Sequence, residues 1–225
     1  MKYLKKFSNS SEYDAFLASG QMVKPNVSLV ADEGIVHYHR QTKVLIQHID
    51  GSLYTTDQWT AEGFANDAAN GVAVIADEAQ FVIAPVIQRN LSWGDNGIID
   101  GIMVSTDSSV AKTDYEGKRN TQLMLEAGNR PGMAAFTCDF VKMPNGQDGY
   151  LPSLGELVVA YEARDEINAA RSLIGAAAMG ASQMWSSTQY SSDMAWVMYW
   201  EATNSVFLPT PRNITYAAPI FAELL

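Results

Sequence analysis

The sequence predicts an α+β fold with a small β-rich N-terminal region. Three observations carry that reading. Short alternating apolar runs cluster at both ends of the 225-residue chain, helix-start signals fill its middle, and a two-residue hairpin signal, Asp50-Gly51, sits between two of the early runs.

Near the N-terminus, Ser10 or Ser11 can cap a helix whose Tyr13, Phe16 and Leu17 share one stripe, with Gly20 placed to end it. Residues 26–31, 35–39 and 43–49 read as strands. Asp50-Gly51 would turn the last of these back into a strand over 52–55. We take residues 1–66 as a β-rich attachment or assembly region and 67–225 as the main domain. The apolar runs 71–76 and 80–84, split by Asp77-Glu78, would open that domain as a hairpin. Residues 92–117 are rich in Gly, Asp, Ser and Asn with little periodicity, and are predicted as mostly loop. A helix is expected near Asn120, with Leu123, Met124 and Leu125, and another over 133–141 after Arg130-Pro-Gly132.

The sharpest local signal is Ser153-Leu-Gly-Glu156. A serine at the N-cap and a glutamate three residues on satisfy each other's backbone amides, so a helix should begin there and bury Leu154, Leu157, Val158 and Tyr161. Asp165 would cap a further helix bearing Ile167 and Leu173 and ending at Gly175. Strands return over 184–188, 195–200, 205–208 and 215–223.

Composition narrows the function. Hydrophobic residues make up 47% of the chain, which suits a folded core, and 25 acidic against 15 basic side chains give a formal charge of −10. That charge repels polyphosphate and anionic membranes, so nucleic acid is not an expected partner. No run approaches the roughly 20 apolar residues that cross a bilayer, and no membrane insertion is expected. The basic start (Lys2, Lys5, Lys6) is followed by Glu12, Tyr13 and Asp14 and not by an apolar stretch, so no signal peptide is recognisable. The single cysteine, Cys138, cannot form an internal disulfide or a cysteine-based zinc site.

Three stretches resemble a known family. They are Asp114-Tyr-Glu-Gly-Lys-Arg-Asn-Thr121, Gly149-Tyr-Leu-Pro-Ser-Leu-Gly-Glu-Leu157, and Trp185-Ser-Ser-Thr188 followed by Ala195-Trp196. Together, over about residues 71–225, they resemble the C-type-lectin-like domains of the formylglycine-generating-enzyme branch. Within that branch they resemble the variable proteins of diversity-generating retroelements from gut phages and bacteria. The resemblance implies a ligand- or receptor-binding protein with a variable C-terminal segment, about 185–221, rewritten at adenine-bearing codons. Between Glu201 and Glu223 the chain contains no Lys, Glu, Gln, Met or Trp, the types such rewriting rarely yields. An ordinary C-terminal hairpin with a polar loop is the competing reading.

Independently of the family, Trp185 and Trp196 are expected as core anchors, because large aromatic rings carry most of the burial in such a sheet. Alternation along 195–200 puts Trp196, Met198 and Trp200 on one face, assigned to the core, and Val197 and Tyr199 on the other. What the resemblance implies is a display set flanking these fixed positions, Tyr190, Ser192, Asp193, Val197, Tyr199, Thr203, Asn204, Phe207, Thr210, Arg212, Asn213 and Thr215, with Phe207 and Arg212 as the energetic anchors. The partner would be a protein or glycan on a host or neighbouring cell surface. The carrier would be a virion or a bacterial cell surface, and a homo-oligomer is left open.

Catalysis is not expected. Cys138, flanked by Phe136 and Phe140, matches no catalytic pair, and an inert buried thiol is the preferred reading. No cofactor is expected. Asp95, Asn96 and Asp100 could in principle hold calcium, but such residues in Gly-rich loops usually make turns. His37 and His39 share a strand face, with only His48 left as a third ligand, so no metal is assigned. No Gly-x-Ser-x-Gly elbow or Walker loop occurs. The alternatives to a variable binder are a fixed surface adhesin module and a formylglycine-generating-type enzyme relative.

Overall fold

The computed structural model describes residues 27–32, 35–40, 42–180, 183–200 and 206–224. The chain divides into two compact units, Met1–Lys43 and Val44–Leu225. In the first, strands β1 (Val27–Asp32) and β2 (Ile35–Arg40) form an antiparallel ladder running from Val27 opposite Arg40 to Asp32 opposite Ile35. These are the two strands expected at 26–31 and 35–39, and His37 and His39 lie in β2. The helix expected from Ser10 or Ser11 to Gly20 lies outside the described residues.

The second unit is built on one eight-stranded sheet. Its strands are β3 (Lys43–His48), β4 (Leu53–Tyr54), β5 (Ala69–Ile75), β6 (Gln80–Leu91), β7 (Gln183–Gln189), β8 (Met194–Tyr199), β9 (Val206–Pro211) and β10 (Tyr216–Glu223), in the order β4-β3-β5-β6-β10-β7-β8-β9. The last strand in sequence therefore fills the centre, antiparallel to β6 and parallel to β7. β9 is an edge strand carrying Pro209 and Pro211, opposite Trp196 and Met194 of β8. Proline has no N–H to offer a further strand, so its place at an edge is the expected one.

The compact unit begins at Val44 and not at residue 67. The Asp50-Gly51 hairpin forms as expected, with Gly51 at φ 93° and the His48 amide bonded to the Ser52 carbonyl at 2.9 Å, but it joins the main sheet through β3 and β5. The chain then enters helix α1 (Thr56–Glu62), which the strand reading passed over. Thr55 and Gln58 make a reciprocal capping box, and Trp59 is buried against Phe64, Tyr54 and His48. This aromatic cluster ties residues 44–66 to the large core.

Helices cover both faces of the sheet. α5 (Leu154–Glu162) and α6 (Arg164–Leu173) pack with Ile46, Val72, Phe81, Met184, Met198 and Phe221. On the other face, α3 (Gly117–Glu126) and α4 (Ala134–Phe140) bury Met124, Ala134 and Cys138 against Val82, Trp185, Val197 and Ile220. The short helix α2 (Ser108–Ala111), capped by Asp107, interrupts the long loop. Coverage of both faces overturns the alternation argument for β8, since Trp196, Val197 and Met198 are all buried. One expected boundary also moves, since α6 starts at Arg164 with Asp165 in its first turn instead of at its cap. Ahead of α5, Tyr150 makes a two-bond bridge to Phe221.

The three stretches that carry the family resemblance meet at one buried junction. Asp114 Oδ2 accepts from Asn120 Nδ2 at 2.9 Å and from Thr188 Oγ1 at 2.7 Å. The Leu154 amide donates to Thr188 Oγ1 at 2.9 Å, the Ser187 amide to the Pro152 carbonyl at 2.8 Å, and the Gly155 amide to the Asp114 carbonyl at 3.0 Å. Beside them the predicted capping box is realised, with the Ser153 amide donating to Glu156 Oε2 and Tyr150 Oη donating to Glu156 Oε1. A side chain at Gly155 would run into the Asp114 and Lys112 carbonyls, and one at Gly117 into Glu156 and the Ser153 amide, so both positions need glycine for close approach. Burial, opposed by the hydrogen bonds from Ser153 and Tyr150 and helped by the Asp114 charge, raises the Glu156 carboxyl to about 7.

Candidate recognition surface

The register of β8 against β9 sorts the display residues. Met194 pairs with Pro211 and Tyr199 with Val206. The β7–β8 turn, with Tyr190, Ser192 and Asp193, therefore lies at the same end of the sheet as the β9–β10 turn, with Asn213 and Thr215. Tyr199 lies at the opposite end. Thr203 and Asn204 lie outside the described residues.

Ser192, Asp193, Asn213 and Thr215 are exposed, and Tyr190, Tyr199 and Phe207 are half-buried. Tyr190 rests edge-on against Trp196 at 5.1 Å, and Phe207 lies under the Lys112 ammonium at 4.1 Å. Three members of the predicted display set face inward instead. Val197 is covered by the α3/α4 layer, Thr210 is paired with Ala195 inside the sheet, and Arg212 is fully buried.

Arg212 is the organising residue of this end of the molecule. Its guanidinium lies over the Trp93 ring at 4.2 Å. Nη1 donates to the Asp95 and Gly97 carbonyls at 3.1 and 2.6 Å, and Nη2 to Gln189 Oε1 and the Ser191 carbonyl at 2.9 and 2.6 Å. The acceptors belong to three separate segments: the loop after β6, the end of β7, and the β7–β8 turn. The Arg212 amide adds a bond to the Asp193 carbonyl, and its own carbonyl accepts from the Trp93 amide. Gln189 extends the network, accepting from the Ile99 amide and donating to the Ile99 and Ile102 carbonyls. Burial lowers the guanidinium to about 10, opposed by the nearby Asp193 charge, so it stays cationic near neutrality.

The result is three exposed turns locked edge to edge. A 2.6 Å bond from the Gly97 amide to the Ser192 carbonyl closes the seam between two of them. Asp95, Asn96 and Ile98 thus join Ser192, Asp193, Asn213, Ile214 and Thr215 on the exposed surface. Asp95 is held by a two-toothed ion pair to Arg130, at 2.6 and 3.1 Å, which pulls its carboxyl below the usual range. The residues that the sequence reading missed are Trp93, Gln189, Ile98 and Ile214. Only Trp93, a tryptophan in a stretch otherwise read as loop, carried a signal that could have found the network.

No protein-family model matches the sequence, and no curated protein does. The fold is similar to that of a fimbrial protein from Bacteroides ovatus ATCC 8483. The two align with a TM-score of 0.61 at 14% identity, over 80% of this chain and 48% of the fimbrial chain. The chain therefore spans about half the length of that protein, and at this identity the likeness is one of fold. It agrees with the α+β class.

The other candidate chemistries have local explanations. Cys138 is buried with its thiol facing the Pro219 carbonyl at 3.6 Å, and burial pushes its pKa far up. His48 pairs with Asp50 at 3.0 Å and packs among aromatic rings. Among the described residues, no three His, Cys, Asp or Glu side chains cluster as metal ligands. Nor is any described helix long and apolar enough to cross a membrane.

Proposed function

We propose that the chain is a surface recognition module of adhesin type, binding a protein or glycan partner through the three turns that Arg212 locks together, and that it is not an enzyme. The carrying observation is the arrangement itself. A buried cation bonded to three segments makes exposed loops rigid, and rigidity lowers the entropic cost of binding through a shallow surface. The exposed side chains mix carboxylate, hydroxyl, amide and β-branched apolar groups, which suits contact with another macromolecule. Among the described residues, the carboxyl raised furthest, Glu156, is engaged in a helix cap, and the chain's single thiol is buried, so neither is presented to a substrate. The likeness in fold to a fimbrial protein supports a cell-surface setting.

The test is binding of the full chain to an array of glycans and surface proteins, repeated with Ser192→Arg/Asn213→Arg. The expected outcome is capture of a ligand by the natural chain, its loss in the double variant, and an unchanged melting temperature. Equal capture by both would sink the assignment of this surface.

A finer reading, a C-type-lectin-like scaffold with a retroelement-diversified C-terminus, rests on the family resemblance and on the absence of Lys, Glu, Gln, Met and Trp between Glu201 and Glu223. The buried positions sharpen it. Sequences of the locus from several isolates should then vary at Tyr190, Ser192, Asp193, Asn213 and Thr215 while Val197, Thr210 and Arg212 stay fixed. Variation scattered evenly along the chain would leave the fixed adhesin.

A further inference from the structure

A two-stranded antiparallel ladder is marginal in water by itself and becomes stable when further strands join it or when one face packs against something else. Among the described residues, β1 and β2 form a sheet of two strands, separate from the eight-stranded one. They belong to the unit Met1–Lys43, which is near the size below which a folded unit relies on a disulfide, a metal or a second chain. A disulfide within the unit is ruled out, because the chain's single cysteine is Cys138. His37 and His39 provide two imidazoles, half of the four ligands that a structural zinc site takes.

The ladder register shows which face a second chain would cover. Opposed residues of an antiparallel pair share a face. Val27 opposite Arg40, Leu29 opposite Tyr38 and Ala31 opposite Val36 therefore make one face, apolar at five of its six positions. Ser28 opposite His39, Val30 opposite His37 and Asp32 opposite Ile35 make the other, polar at four of six. Two strands cannot enclose their own apolar face, whereas the same face of another hairpin covers it, as the inner faces of stacked sheets do.

Charge decides where two copies can meet. Up to Lys43 the chain carries six basic and four acidic side chains, a formal +2, which leaves −12 on Val44–Leu225 out of the total of −10. Two units at −12 repel each other strongly, and two at +2 hardly do so. Association of like with like is therefore favoured at the N-terminal unit.

We propose that the chain forms a homodimer through the apolar face of the β1–β2 hairpin, with the Leu29–Tyr38 pair of each copy at the centre of the contact. The same patch serves on both copies, and it includes none of the residues of the three locked turns.

Sedimentation velocity on the full chain across the micromolar range reads the mass. The expected result is a dimer for the natural chain, a monomer for Leu29→Glu/Tyr38→Glu, and a dimer still for Ser28→Glu/His39→Glu, whose charges fall on the other face. All five tryptophans lie beyond Lys43, so unchanged tryptophan emission in both variants reports that the larger unit is intact. Oxidation tests the same face without adding charge. Cys138 is buried, so a cysteine introduced by Leu29→Cys is the one open to oxidation and should link two chains, whereas Val30→Cys, on the opposite face, should not. Ser192→Arg/Asn213→Arg should leave the dimer intact, which separates this contact from the recognition surface. A monomer at every concentration, as expected if another part of the same chain covers the face, would overturn the proposal. So would a dimer that Leu29→Glu/Tyr38→Glu leaves whole, or one that a chelator dissolves.

Discussion

Replacing Arg212 by alanine tests whether the recognition surface is held from beneath. The change removes four side-chain hydrogen bonds and leaves the Asp95, Gly97 and Ser191 carbonyls and Gln189 Oε1 facing a void over Trp93. At about 1 kcal/mol of net stability per bond, the loss would approach ~4 kcal/mol. Removing the desolvation cost of a buried guanidinium and admitting water offset part of this, leaving about 3 kcal/mol. For a domain of this size that corresponds to a fall in Tm of roughly 6–12 °C. Denaturant melts give the energy, and hydrogen exchange locates it, with faster exchange expected at Gly97, Ile99 and the 190–193 turn. Arg212→Lys keeps the charge but cannot fork to four acceptors, so it should recover less than half the loss. A loss below ~1 kcal/mol with exchange at Gly97 unchanged would refute the reasoning.

Two further outcomes rest on buried titratable groups. Because the Glu156 carboxyl is raised to about 7 in the fold, the folded chain binds the extra proton between its unfolded value of 4.5 and that point. Stability from this group is full below pH 4.5 and is lost as pH rises through about 7, so Tm should fall from mildly acid to mildly alkaline buffer. Glu156→Gln should flatten that slope, and an unchanged slope would assign it elsewhere. Cys138, buried with its pKa pushed up, should react with a thiol reagent no faster than the domain unfolds. Rapid labelling of the native chain would contradict its burial.

The parts of this fold legible in the sequence are those fixed by neighbours in the chain. The Ser153–Glu156 capping box and the Asp50-Gly51 turn are made within four residues, and both form where expected. Thr55 and Gln58 carry the same box signature and could have been read the same way. Burial of Arg212 could not, because its partners are mostly backbone carbonyls up to 117 residues away, which leave no mark on residue type. Val197 was misplaced for a different reason. Alternation along a strand separates two faces but does not say which is wet, and here helices dry both.

The two ends of the large sheet bear on how such a molecule behaves when crowded. One border strand, β4, is two residues long, and the other, β9, carries Pro209 and Pro211. A short strand gives a neighbouring chain almost nothing to grip, and each proline deletes a donor that a neighbour would need. Packed densely on a surface, copies of this unit would resist zipping together through their backbones. Contacts between them, or with a partner, are thereby left to side chains, where selectivity can be tuned one residue at a time.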